Sequence, residues 1–224
     1  MRIDLQVHTV LGSGDSVITP QEVAAACVRF GLDGIGVTEH DPALYDELGD
    51  ALGAEGLTLV PGREVYCGPC HVLVFSADRE LLHALPRSVE SDALDDSAFA
   101  CVWAHPAFLG GPLVVPVSDP PSAPVSKVVH AVEVLNGIRL HAAEGIRAAI
   151  QAAHRLGLPG TGGSDAHRPE HLGRCFTDVE VEASEGPEGV VNAIREGRAR
   201  PVLSLRWAEV HRYDYRDDLR EFLG

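Results

Sequence analysis

The sequence predicts an α/β fold built on a parallel sheet or barrel. Apolar β-type runs alternate with helical patterns from one end to the other, a pattern that a sandwich of consecutive strands does not produce. Histidines recur at the ends of these runs, where the strands of a parallel barrel deliver side chains to a common rim. The 224 residues, 45% of them hydrophobic, suffice for one well-buried core, and no internal repeat divides them. A single domain over 1–224 is expected, with 206–224, mixed in charge and aromatics, as a C-terminal extension packed on it.

Ile3 to Val7 reads as the first strand. Thr19-Pro20-Gln21-Glu22 then gives an N-cap, a proline at the first helical position and a capping-box acid, opening a helix to about Gly31. Gly34 to Thr38 is a second strand, and Asp41-Pro42 opens a second helix. Leu57 to Val65 and Val72 to Ser76 read as strands separated by a Gly68-Pro69 turn. Ala100 to Ala104, Ala131 to Leu135 and Pro159 to Gly162 are later strands, the last two joined through an Ala-rich helix from about Leu140 to Leu156. Phe108 to Pro124, rich in proline, reads as a loop or lid that restricts the rim to small substrates. Phe176 to Val181, a helix near Pro187 to Glu196 and a terminal helix within Arg206 to Leu223 complete the chain.

A formal charge of −15 leaves no basic stripe to displace counterions, so long nucleic acids are not expected as partners. No run of 18 apolar residues is present and the start lacks a signal-peptide pattern, so neither a membrane partner nor export is expected. Five cysteines at irregular spacing fit a reduced, cytoplasmic protein. Cys67-Gly68-Pro69-Cys70 followed by His71 matches redox and haem-attachment patterns, yet it sits in a turn before a strand-like run. A redox pair belongs at a helix N-terminus, so a reversible disulfide or extra metal site is the functional reading that survives there. Lys127 is the only lysine among 18 basic residues, a bias read as compositional.

His8, His40, His105 and His167 fall at or just after strand ends, Glu64 closes the Leu57 strand, and His71 starts its strand beside that carboxylate. Asp165 follows the Pro159 strand. Neutral imidazoles mixed with carboxylates are the donor set for zinc, manganese or iron, and a cluster of them can hold two or three ions. His83, His130, His141, His154 and His211 lie in helical or helix-edge positions and read as ordinary packing or surface residues, while His171 is close to His167.

The motifs Asp4-Leu5-Gln6-Val7-His8-Thr9, Thr38-Glu39-His40-Asp41, Gly62-Arg63-Glu64, His71-Val72-Leu73, Ala104-His105-Pro106, Glu133-Val134-Leu135-Asn136-Gly137 and Gly163-Ser164-Asp165-Ala166-His167 stand in this order. Their conjunction, over about residues 1 to 200, resembles the polymerase and histidinol phosphatase (PHP) superfamily. That resemblance implies a distorted seven-stranded (β/α) TIM-like barrel with a trinuclear centre for phosphoester hydrolysis. It implies that His8, Glu64 and Asp165 surround a first metal, and that Glu64 bridges to a second held by His71 and His105. It places a third with Asp15, His40 and His167. Gln6 departs from the family, whose opening motif usually has histidine here. It is either a weak ligand, better suited to manganese or magnesium than to zinc, or a hydrogen-bond partner of a neighbouring ligand.

The expected reaction is attack on a small phosphorylated metabolite or nucleotide by water activated on paired divalent ions. His40, His105 and Asp165 are the catalytic candidates, with Asp41 a further candidate proton donor. Arg168 and Arg63, beside His167 and Glu64, are the candidates for anion capture. An amidohydrolase-like enzyme acting on a carbon centre and a non-catalytic, regulatory metal-binding barrel are the alternatives. Lys127 precedes a strand instead of ending one, which does not suit the first of these, and Gln6 is the feature that favours the second.

Overall fold

The computed structural model describes residues 1–106, 119–204 and 215–223. Eleven strands are present among them: β1 (Arg2–Val7), β2 (Gly34–Val37), β3 (Thr58–Val60), β4 (Gly62–Cys67), β5 (Cys70–Phe75), β6 (Ser88–Val89), β7 (Ala100–Ala104), β8 (Ala131–Asn136), β9 (Gly160–Gly163), β10 (Cys175–Val179) and β11 (Ala199–Leu203). Six helices accompany them: α1 (Pro20–Phe30), α2 (Tyr45–Gly53), α3 (Arg79–Ala84), α4 (Ala143–Leu156), α5 (Gly186–Arg195) and α6 (Arg216–Leu223).

The α/β class is as expected, but the described strands form no closed sheet. They fall into two, ordered β11-β10-β1-β2-β3 and β6-β4-β5-β7-β8-β9. Parallel pairs β1–β2–β3 and β7–β8–β9 are interrupted by antiparallel β4–β5, β5–β7, β1–β10 and β10–β11. The predicted strand Leu57 to Val65 is in fact two, broken at Pro61, and the break passes the chain from the first sheet into the second. A proline has no N–H to continue the ladder, which suits this crossing. The sheets touch through two isolated parallel bridges, Val7 with Ala166 and Glu39 with Arg63.

Between the sheets Ile3, Leu5, Val60, Leu73, Phe75, Val102 and Ala131 form a buried core with Val190, Val191 and Ile194 of α5. Phe75 reaches across the junction: a Cβ added to Gly36 of β2 or Gly62 of β4 would lie 2.8 or 2.7 Å from its ring. Both strands therefore need glycine for the sheets to approach. Outside, α1 and α2 bury Val23, Cys27, Leu48 and Leu52 against the first sheet.

Helix α1 begins with the predicted reciprocal cap between Thr19 and Glu22 and stops at Gly31 in the left-handed region, φ 66°. Helix α2 starts at Tyr45, later than Asp41-Pro42 suggests, because the intervening segment leads from the rim. The sequence reading did not include α3, β6 or β11, which are short or edge elements. Of the proline-rich stretch, 120–122 and 124–127 form 3-10 turns, and the proposed lid at 108–118 lies outside the described residues. Of the expected terminal helix, Arg216–Leu223 lies within the described residues. It packs on α4 through Arg147 Nε to Asp218 Oδ2 at 3.0 Å and through the rings of His154 and Phe222. No helix among the described residues is long and apolar enough to cross a membrane.

Candidate metal centre

The rim collects the predicted donors because each strand end delivers one. His8 follows β1, His40 follows β2, His105 follows β7, and Asp165 and His167 follow β9. Glu64 comes from inside β4, and His71 from the start of β5, which reaches the same rim because β5 runs antiparallel to β7 with His71 opposite Ala104. Asp15 folds back from the loop after β1, where Ser16 Oγ donates to the His8 carbonyl at 2.8 Å and Val17 N to the His167 carbonyl at 3.1 Å.

Three compartments result. His8 Nε2 lies 3.4 Å from both Glu64 Oε2 and Asp165 Oδ1. Glu64 Oε1 faces His105 Nε2 at 3.4 Å and His71 Nδ1 at 2.6 Å. Asp15 Oδ2 lies 3.5 Å from both His40 Nε2 and His167 Nε2, and His40 Nδ1 is 3.5 Å from Glu64 Oε2. Except for the short Glu64–His71 contact, these separations are long for hydrogen bonds between charged groups. They match the edge of a tetrahedron, about 3.4 Å, around an ion with donors about 2.1 Å away. Ligand atoms of His8, His40 and His167, and of Glu64, His71 and His105, converge within 4.8 Å of one another in each set.

The tautomers point the same way. Ser13 Oγ gives its proton to Glu39 Oε2 at 2.5 Å, so it accepts from His8 Nδ1 at 3.2 Å, which leaves the His8 Nε2 lone pair toward the carboxylates. His167 Nδ1 donates to the Asp165 carbonyl at 2.9 Å, turning its Nε2 to Asp15. His8 Nε2 and His105 Nδ1 are buried without a hydrogen-bond partner. A lone pair held dry against two carboxylates needs a cation, so the donor set fits divalent ions.

The electrostatics of the ion-free site express the same need. Burial disfavours the His8 cation, yet Asp165, Glu64 and Glu39 outweigh it and push the imidazole up to about 9. Burial also opposes ionisation of Glu64 and Asp165, but His105 and His71 hold Glu64 well below the carboxylate range, and His8 lowers Asp165. His40 is lowered by burial and by His8. His105 and Asp165 are the two non-glycine residues of positive φ among the described residues, 30° and 53°. Such backbone costs about 1–3 kcal/mol each and concentrates at functional sites.

Gln6 does not face an imidazole or join a donor compartment. Its amide points its nitrogen at Glu133, 2.7 Å from Oε1 and 3.0 Å from Oε2, since the opposite sense would set oxygen against carboxylate oxygen. Arg63 is corrected as an anion-binding residue. It is buried, and its guanidinium donates to the carbonyls of Glu39, His40, Leu82 and Leu85. Arg168 is exposed beside His167 and remains open to an incoming anion, and Asp41 is exposed next to His40.

Cys67 and Cys70 are buried free thiols that pair across the hairpin turn at Gly68-Pro69, and burial pushes Cys70 up to about 11. Neither sits at a helix N-terminus. His83 stacks on Tyr45, His130 accepts from the Cys101 N–H, and His154 packs on Phe222. His171 forms part of a 3-10 turn at the same rim, His141 is exposed, and His211 lies outside the described residues. Lys127 is exposed in the turn before β8. The sequence reading assigned no role to Ser13, Glu39, Glu133 or Asn136; the last three stand in the quoted motifs, but only the fold shows what they touch.

Comparison with known proteins agrees with this architecture. The PHP-associated family model, PHP_C, matches residues 145–199. A two-domain protein of Bacteroides vulgatus, described as containing a predicted PHP-like metal-dependent phosphoesterase, superposes with a TM-score of 0.70 at 20% identity over 91% of this chain and 65% of its own. PsfC of Pseudomonas syringae gives 0.67 at 22% identity over 97% and 98% of the two chains. An amidohydrolase of Chromobacterium violaceum, solved with sulfate and no metal, gives 0.56 at 15% identity over 77% and 90%. No curated protein matches significantly. The family model matches one segment of the chain, and the superpositions show a fold shared with these structures.

Proposed function

We propose that the chain is a metal-dependent phosphoesterase acting on a small phosphorylated metabolite or nucleotide. The observation that carries this reading is Glu64, each of whose carboxylate oxygens stands between two imidazoles, with Asp165 and Asp15 completing compartments on either side. His8, Glu64 and Asp165 would hold one divalent ion, Glu64, His71 and His105 a second, and Asp15, His40 and His167 a third. Bound there, the ions supply a Lewis acid for phosphoryl oxygens and a water acidic enough to act as nucleophile near neutral pH.

The chain's own residues do the rest. Glu64 fixes the spacing of neighbouring compartments through its two oxygens. His40, kept neutral by burial and by His8, can accept or relay a proton on the more exposed side of the cluster. His105, one of whose nitrogens has no partner, is the second proton-transfer candidate. Asp165 presents one oxygen to His8 while the other is held by Asn136 at 3.1 Å. Arg168 offers a guanidinium to the substrate phosphate at the outer edge. Acidity of the chain fits a short, compact substrate.

The test is phosphate release from nucleoside, sugar and histidinol monophosphates and one generic diester, by protein reconstituted with manganese or zinc, with Asp165→Ala as control. Turnover abolished by the substitution supports the reading. Metal binding without turnover of any ester refutes it and leaves a regulatory metal-binding protein, or a hydrolase of carbon centres if amide or lactone substrates in the same panel are cleaved.

A further inference from the structure

Beneath the cluster lie Gln6, Glu133 and Asn136, with relative exposures of 0, 1 and 1%. Their bonds interlock. Gln6 donates its amide N–H groups to both oxygens of Glu133, and Asn136 Nδ2 divides its two hydrogens between Glu133 Oε2 at 3.0 Å and Asp165 Oδ2 at 3.1 Å. Glu133 Oε2 also accepts the backbone N–H of His105 at 3.1 Å. Both oxygens of Glu133 thereby accept N–H donors. The two residues of strained backbone, His105 and Asp165, hang from this one carboxylate, the first directly and the second through Asn136. Space is tight as well, since a Cβ on Gly163 would lie 2.7 Å from Gln6 Cβ and 2.8 Å from Glu133 Oε1.

We propose that Gln6 is a positioning residue and not a ligand: with Glu133 and Asn136 it clamps His105 and Asp165 in place. The ion held by His8, Glu64 and Asp165 then has three protein donors and keeps a position open, as catalytic sites do and closed structural sites do not. This rests on the metal-centre reading above, but it concerns the chain's hydrogen bonds and is tested without turnover. Its logic is that of partners behind a ligand: they set the direction of the lone pair and so the affinity for the ion.

The experiment measures manganese stoichiometry and affinity of the metal-free full chain by chelator competition, for wild type, Gln6→Leu, Gln6→Glu, Glu133→Gln and the double variant Gln6→Glu/Glu133→Gln. Gln6→Leu and Gln6→Glu are each expected to weaken one ion about 10- to 100-fold. The double variant, which restores an amide–carboxylate pair in reversed order, is expected to recover it. Tighter binding by Gln6→Glu alone would show that residue 6 ligates and would overturn the proposal, as would wild-type affinity in Gln6→Leu. Should Gln6→Leu fail to fold, the double variant decides: recovery supports the clamp and loss refutes it. A wild-type chain that binds no manganese or zinc removes the metal-centre reading and this one together, whereas wild-type binding with an unaltered Gln6→Leu removes this one alone.

Discussion

At Asp4 the carboxyl is fully buried and accepts N–H bonds from Ser164 at 2.7 Å and Gly173 at 3.4 Å, tying β1 to the segment after β9. Burial still pushes it up to about 6 from 3.8. Between those values the folded chain keeps a proton that the unfolded chain releases, so this group makes the fold less stable as pH rises. Asp4→Asn should therefore gain on wild type between pH 4 and pH 7, by up to ~3 kcal/mol in urea melts of the metal-free protein. An identical difference at both pH values would refute the account. Glu64→Gln tests the bridge: the amide has one oxygen in place of two acceptors, so bound metal per chain is expected to fall by at least one ion in elemental analysis. Most donors were legible as residue types, because histidine and carboxylate at strand ends have few other reasons to recur. For Gln6 the sequence left two readings, a weak ligand or a hydrogen-bond partner of one, and it gave Glu133 and Asn136 no role, since an amide or acid has many structural uses and only contacts across more than a hundred positions of sequence decide among them. Arg63 was misread for the converse reason: adjacency to Glu64 in a strand puts its side chain on the opposite face.

Elements translate those residues into place, and small changes in them should be felt at the rim. Gly163→Ala drives a methyl against the Gln6 backbone and Glu133, with a cost of about 1–3 kcal/mol in thermal melts and weakened manganese binding. Thr19→Ala removes half of the reciprocal cap of α1, a side chain bonded to Glu22 and not to a donor, and should cost about 1 kcal/mol while leaving metal affinity at the wild-type value. Cap, proline and glycine signals set the bounds of α1 to within a residue, whereas strand bounds were looser. An apolar run cannot show that Pro61 divides it between two sheets, because Thr58–Val60 and Gly62–Cys67 carry similar β-type character on either side. The β4–β5 hairpin was legible as a turn from Gly68-Pro69, and its antiparallel sense explains why His71 enters the rim from the beginning of a strand.

For the molecule as a whole, donors span His8 to His167, so ion binding is coupled to nearly the entire fold. Free ion at a hundred times its dissociation constant should stabilise the native state by about 2.7 kcal/mol per independent site, and chelation should reverse this. A melting temperature indifferent to manganese, zinc and chelator would show the cluster to be no metal centre. The α/β class was visible from alternation alone. That the strands divide into two sheets was not, since it depends on antiparallel pairs between segments distant in sequence, such as β1 with β10.

The two bridges that join the sheets lie under the same donors. His8 N donates to Ala166 O at 3.0 Å on one margin, and Glu64 N donates to Glu39 O at 3.1 Å on the other. Each of these amides belongs to a residue whose side chain faces the cluster, so an ion bound there would reinforce the seam at the points where these backbone bridges cross it. Deuterium uptake should report it: in chelated protein the amides of His8 and Glu64 should exchange well ahead of those in the centre of β5 or β8, and manganese should slow them selectively. The centre would then act as the fastener of the two halves as well as the place where a substrate is bound.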